Sequence, residues 1–270
     1  MSAVEAVPAA GAWCPKMVAL DIDGTLLDHD GTLPEDVLAA VGRVVSAGVP
    51  VVLATGRGWH STVDVFAALG LPPGWVVCSN GAVTLRNPPP EVVREVTFDP
   101  APVIERAVAH APEVLIAVEV VGQGYRLSRP FPEGELEGEH VLESTEQLAS
   151  RPVTRVVIRN PAATDEDFVA MAEALGLHGV SYFVGTSAWL DIVPEGVSKA
   201  SALAEVCHEL GVDPADVLAM GDGRNDIEML AWAGRGVAMG ATPEEVRAAA
   251  DHTTAPFGEG GTAQELSRWF

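Results

Sequence analysis

Met17-Val18-Ala19-Leu20-Asp21-Ile22-Asp23-Gly24-Thr25 is the stretch on which the fold turns. A short apolar run leads straight into a cluster of aspartates, glycine and threonine. An apolar run of this length, bounded by turn residues, reads as a buried strand whose carboxyl end carries the polar cluster. The arrangement returns three times. Val49–Ala54 leads into Thr55-Gly56-Arg57, Trp75–Cys78 into Ser79-Asn80-Gly81, and Val217–Met220 into Gly221-Asp222-Gly223-Arg224-Asn225-Asp226. One such cluster alone is compatible with turn chemistry, since Asp, Gly, Asn and Thr favour turns. Four of them at strand ends predict a shared site, because parallel strands bring their carboxyl ends to one edge of a sheet.

The segments between these strands read as helices: Pro34–Ala47 with Thr32 as its cap, His60–Leu69, Ser198–Leu210, Asn225–Ala233 and Pro243–Ala250. Gly236–Met239 adds a further strand. The alternation predicts an α/β domain, a parallel sheet flanked by helices. The middle of the chain breaks it. A helix over Pro102–Ala109 precedes Val114–Val121 and Tyr125–Ser128, which flank Gly122-Gln123-Gly124 as in a hairpin. A polar stretch, Pro130–Glu146, follows, with its acidic run Glu133–Glu139 expected to be a solvated loop or, alternatively, to face the cleft. Then come strand Val153–Arg159, helix Asp165–Leu175, and strands Val180–Gly185 and Ala188–Val193. Pro88–Pro90 reads as a short loop. The expected organisation is a loose tail (1–15), a core (16–82 and 189–270) and an inserted α+β cap (83–188).

With 48% hydrophobic residues the chain can bury a sizeable core, and its net charge of −22 sets it against nucleic acid and anionic lipid. A phosphorylated ligand would need local positive features. Three cysteines without C-x-x-C spacing read as reduced thiols. No leader or membrane-span pattern is apparent, so a soluble, cytoplasmic protein is expected. The histidines show no ligand spacing, and the tryptophans are scattered.

Asp21, Asp23 and Asp222 would bring carboxylates together at the shared edge. Like charges raise one another's pKa unless a cation neutralises them, and hard oxygen ligands favour Mg²⁺. A calcium EF-hand fails, because neither Asp21 nor Asp28 as first position supplies the glycine and acid that loop needs. Lys199 stands out differently. The chain has fourteen arginines and only two lysines, and this one opens a helix, where the dipole disfavours a cation. A bound anion explains it better than an ordinary exposed lysine.

Asp-x-Asp-Gly-Thr after one strand, Thr-Gly-Arg after the next, a lone lysine and Gly-Asp-x-x-Asn-Asp together resemble the haloacid dehalogenase (HAD) superfamily of phosphohydrolases. The insert between the threonine and lysine motifs, with Ser79–Ala82 at its entry and Glu195–Lys199 at its exit, is similar to the type IIB, Cof-like branch. The resemblance implies a Rossmann-like core with a mobile type C2B cap, and roles for the matching residues. Asp21 would be the nucleophile and Asp23 the acid/base. Asp21, the backbone carbonyl of Asp23, and Asp222 would hold Mg²⁺, with Asn225 and Asp226 completing or orienting its shell. Thr55 and Lys199 would bind the phosphoryl group, beside Gly24, Gly56, Asn80 and Asn225. Arg57 would touch substrate or form a structural ion pair; Arg224 has no role. The implied reaction is hydrolysis of a small phosphorylated metabolite, such as a sugar phosphate or nucleotide-like compound. The alternatives are phosphoryl transfer, as in a phosphomutase, and a non-catalytic binding protein on this fold. Oligomeric state, monomer or homodimer, stays open.

Overall fold

Neighbouring residues of the Met17–Leu20 strand are buried in different cores, Val18 and Leu20 in one and Met17 and Ala19 in another. Successive strand side chains point to opposite faces, so this strand is covered on both sides, as parallel sheets require. The computed structural model of the chain describes residues 13–28, 30–161, 163–164, 180–185 and 189–270. The helix expected over Asp165–Leu175 lies outside the described residues.

In chain order the strands begin with β1 Met17–Leu20, β2 Val51–Ala54, β3 Gly74–Cys78, β4 Val83–Asn87 and β5 Glu91–Glu95. β6 Leu115–Val120, β7 Gly124–Leu127 and β8 Glu139–Leu142 follow. Next are β9 Val156–Arg159, β10 Val180–Gly185 and β11 Trp189–Pro194. β12 Val217–Gly221, β13 Arg235–Ala238 and β14 His252–Thr253 come last. One sheet has the order β14-β13-β12-β1-β2-β3-β4-β5, parallel from β14 through β3 and antiparallel beyond. The other has the order β10-β11-β9-β6-β7-β8.

The sheets divide the chain differently from the limits expected at 83 and 188. β4 pairs onto β3 and β5 onto β4, so the first hairpin belongs to the core sheet, and Pro88–Pro90 lies in its turn. β11 pairs with β9 and β10, so it belongs to the inserted sheet. Trp13 also departs from the expected loose tail. Its indole N–H donates to the Ala215 carbonyl at 2.7 Å, and its ring meets Trp269 edge-on at 4.9 Å.

Helices cover both faces of the core sheet. The Glu35–Ser46 helix buries Val37, Ala40, Val41 and Val44, one face at helical spacing. It starts after Pro34, and no side chain caps it, Thr32 included. On the opposite face, the Lys199–Leu210 helix buries Ala202, Leu203, Val206 and Cys207. Ser198 caps it, accepting from the Ser201 N–H, and Gly211 ends it in the left-handed conformation. The expected Asn225–Ala233 helix is a 3₁₀ turn, Arg224–Asp226, followed by helix Ile227–Trp232.

The inserted sheet has its own core. Ile116, Val118, Val156, Ile158, Leu190 and Ile192 pack with Val103, Ile104 and Ala107 of the Ala101–His110 helix. The residues between them in sequence face the other way. That face carries Tyr125, Arg155, Trp189 and Asp191, which look into a cleft shared with the core sheet's carboxyl edge. Of the two readings of the acidic segment, the structure has the one that faces the cleft: Gly134–Glu137 line it, Leu136 is buried, and Glu135 pairs with Arg159 at 2.8 Å. Among the described residues, no helix is long and apolar enough to cross a membrane.

Candidate active site

The polar clusters that end β1, β2, β3 and β12 meet at one edge, under a cleft of about 1090 Å³. Asp21 ends β1 and is 5% exposed. Lys199, fully buried at the start of its helix, donates from Nζ to Asp21 Oδ1 at 2.6 Å and to Asp226 Oδ1 at 2.7 Å. The anions that explain a lysine at this helix start therefore include two of the protein's own carboxylates. Asp226 is also fully buried, and its Oδ2 accepts from the backbone N–H of Asp222 at 3.0 Å and of Gly223 at 2.9 Å. With both oxygens engaged, Asp226 shapes the Asp222 loop and fixes Lys199.

Gly24 carries the closest approach in the site. Its φ is +75°, and a Cβ there would lie 2.3 Å from Asp222 Oδ2. The chain needs glycine here to turn after Asp23 and to let the Asp222 carboxylate approach. Gly24→Ala is expected to cost about 1–2 kcal/mol from the left-handed backbone alone. By displacing Asp222 it should also lower kcat about a hundredfold. Urea denaturation and a steady-state assay check the two effects separately, and unchanged kcat would show that Asp222 placement is unimportant.

Asp21, Asp222 and Asp226 each place a carboxylate oxygen within 4.8 Å of the others. Burial pushes Asp21 well above the usual carboxylate range; Lys199 opposes this, and the charges of Asp226, Asp222 and Asp23 add to it. Burial and then the charge of Asp226 push Asp222 up to about 7. Burial alone would lower Lys199, but Asp21 and Asp226 override it and hold it raised. One lysine facing three carboxylates leaves negative charge uncompensated. An all-oxygen set with surplus negative charge fits a hard divalent cation. Asp21 and Asp222 are the side chains best placed to hold one, because Asp226 is spent on Lys199 and the loop.

Asp23 sits outside this cluster. Its carboxylate, with the side chain 57% exposed, receives Arg57 Nη2 at 2.6 Å and Nε at 2.9 Å, a bidentate ion pair. Thr55 is buried, and its hydroxyl accepts from the Arg57 N–H at 3.0 Å, which leaves its own proton to donate. Gly56 passes close to Asn80 and Asn225. Asn80, in left-handed conformation at φ +53°, uses both ends of its amide. Its Oδ1 accepts from Asn225 Nδ2 at 3.0 Å, and its Nδ2 donates to Asp191 Oδ2 at 3.3 Å. Asn80 and Asn225 thus form a bridge from the core to the inserted sheet. Arg224 lines the cleft and is paired with Glu245 at 2.5 Å.

The inserted sheet contributes a buried polar group that the motifs did not announce. Asp191 accepts from Arg155 Nε at 2.7 Å and from the Trp189 indole N–H at 3.0 Å, while Arg155 Nη1 donates to the Tyr125 hydroxyl at 3.1 Å. Glu119 accepts from Ser79 Oγ at 2.6 Å and Thr154 Oγ1 at 3.0 Å. Burial raises Glu119, against the charge of Arg155 and these hydrogen bonds. Gly58 permits the contact, since a Cβ there would lie 2.8 Å from Glu119 Oε1. The signal was the strand alternation: each of these sheet residues except Thr154 holds a polar or aromatic position opposite the apolar face.

A family model described as haloacid dehalogenase-like hydrolase matches residues 18–266. The 5-amino-6-(5-phospho-D-ribitylamino)uracil phosphatase YitU of Bacillus subtilis is 28% identical over 276 residues, spanning 95% of this chain and 98% of its own. The HMP-PP phosphatase of Serratia proteamaculans is 28% identical over 235 residues, 83% of this chain and 84% of its own. Among solved structures, the phosphatase BT1666 of Bacteroides thetaiotaomicron matches with a TM-score of 0.78 at 27% identity, covering 99% of both chains. The subclass IIB sugar phosphatase BT4131 shares the fold, with a TM-score of 0.81 at 23% identity over 93% of this chain and 98% of its own. With its motif residues gathered under an inserted second sheet, the chain belongs to the haloacid dehalogenase-like hydrolases.

Proposed function

We propose that this enzyme hydrolyses a small phosphorylated metabolite through an aspartyl-phosphate on Asp21, with Mg²⁺ as its cofactor. The observation that carries the reading is the Asp21 carboxylate, held by Lys199 at the floor of the cleft. Asp21 attacks phosphorus and the bond to the leaving oxygen breaks. Asp23, at the cleft wall, gives that oxygen its proton. Asp23 then takes a proton from water, whose oxygen attacks the phosphorus and releases inorganic phosphate from Asp21. Thr55 and Lys199 orient the phosphoryl oxygens. When bound, the metal screens the negative charge between nucleophile and phosphate. The inserted sheet covers the leaving group and excludes bulk water. Phosphatases among the relatives of similar length support the reaction class. The unpaired thiols Cys14, Cys78 and Cys207 suit a cytoplasmic location.

Hydrolysis of p-nitrophenyl phosphate should require Mg²⁺ and stop in EDTA. Activity that persists in EDTA would overturn the metal assignment. Protons and cation compete for the same carboxylates. Because Asp222 is pushed up to about 7, the Mg²⁺ concentration for half-maximal rate should rise as pH falls below that value. The expected slope approaches about tenfold per pH unit for a single competing proton. A flat dependence would separate Asp222 from metal binding.

A further inference from the structure

The two ends of the cleft differ in charge. The phosphoryl end has Lys199 and a place for a cation. At the leaving-group end every guanidinium already has a carboxylate partner. Asp23 holds Arg57, Asp191 holds Arg155, and Glu245 holds Arg224. Recruiting Arg155 to a ligand would strand Asp191, which is 7% exposed, as a buried charge without its cation. The sequence closes the remaining route: residues 1–12, 29, 162, 165–179 and 186–188 contain no lysine or arginine. The cleft has uncommitted negative charge instead. Among the described residues, Asp28 accepts only from the backbone N–H groups of Asp30 and Thr32. Glu137 lines the cleft, exposed, with no ion pair among the described residues.

We infer that the leaving-group end rejects a second anion and takes a hydroxyl-rich or amine-bearing group. The substrate is then a phosphomonoester with one phosphate and no carboxylate, not a bisphosphate, a nucleoside polyphosphate or a phosphorylated acid. Tyr125 and Trp189 on the facing sheet offer such a group a hydroxyl and an aromatic surface. The inference rests on the phosphatase reading and adds charge selection to it.

The test compares matched phosphomonoesters as competitors of p-nitrophenyl phosphate hydrolysis, and by calorimetric titration into the Mg²⁺-loaded protein. Sorbitol 6-phosphate and 6-phosphogluconate differ in a hydroxymethyl against a carboxylate, while glucose and glucosamine 6-phosphates differ in a hydroxyl against an ammonium. The carboxylate should weaken binding about tenfold, and the ammonium should not weaken it. Added salt should shrink the gap, since exposed charges are screened beyond about 3 Å near 1 M. Glu137→Arg combined with Asp28→Asn should shrink it too. Equal binding of acid and polyol overturns charge selection, as does a gap that survives both salt and the double variant. Absence of nitrophenyl phosphate hydrolysis overturns the phosphatase reading, while calorimetry still reads the order of binding.

Discussion

Asp21→Asn should lower phosphate-ester hydrolysis by about four orders of magnitude or more while leaving the fold in place. The amide has nearly the shape of the carboxylate and can still accept from Lys199, which approaches Asp21 Oδ1 at 2.6 Å. What it lacks is the anionic oxygen that attacks phosphorus. Stability should change little in the metal-free protein. The substitution removes one charge from a cluster in which burial and Asp226, Asp222 and Asp23 all push Asp21 toward its neutral form. Lys199 keeps its second partner, Asp226. Two measurements check the mechanism. Steady-state rates on p-nitrophenyl phosphate read the loss, and rapid acid quench of the wild type followed by peptide mass spectrometry reads phosphate on Asp21. Full activity in the variant would sink the mechanism, and phosphate found on another residue would move the nucleophile.

The catalytic edge was legible because its residues break the pattern of buried strands. An aspartate after Met17–Leu20 or a Thr-Gly-Arg after Ala54 has no packing reason to be there, so chemistry was the better reading. Contacts between motifs were less legible. The scarcity of lysine marked Lys199, but only the fold brings Asp226 to its ammonium and Arg57 to Asp23. That the first hairpin pairs with the core sheet is not legible in the sequence, for a physical reason. β5 is almost entirely exposed, so its residues carry no apolar alternation, and the prolines before it read as a loop. β8 is hidden likewise, an exposed edge strand in an acidic segment. The cleft-facing residues of the insert were present in the alternation of β6, β9 and β11. Alternation alone does not say which face meets a site; the packing of the Ala101–His110 helix on the apolar face leaves the other to the cleft.

Lys199→Met should both abolish turnover and destabilise the protein by about 3–5 kcal/mol, the range for breaking a buried ion pair from one side. Lys199 and Asp226 are fully buried and Asp21 is 5% exposed, so neither carboxylate can recover its loss from water. Methionine fills similar space, so the cost is electrostatic and not that of a cavity. Arginine should not substitute, because a planar guanidinium needs more room than a fully buried ammonium leaves. The pH dependence follows in sign. Lys199 is raised above its ordinary 10.5, so its contribution is fully present below that value and is lost only as pH rises through the higher folded value. Lys199 itself stays charged across the neutral range, but it also holds Asp21 and Asp222 down, so the loss in Lys199→Met should grow as pH rises through neutral and the carboxylates left without it ionise. Asp226→Asn placed in the same chain removes the carboxylate left most buried. The double variant should then be more stable than the sum of the single losses predicts, by about 1–3 kcal/mol. Urea denaturation of wild type, both singles and the double measures this coupling. Strict additivity would mean that Lys199 and Asp226 do not depend on each other, and that the lysine serves the phosphoryl group alone.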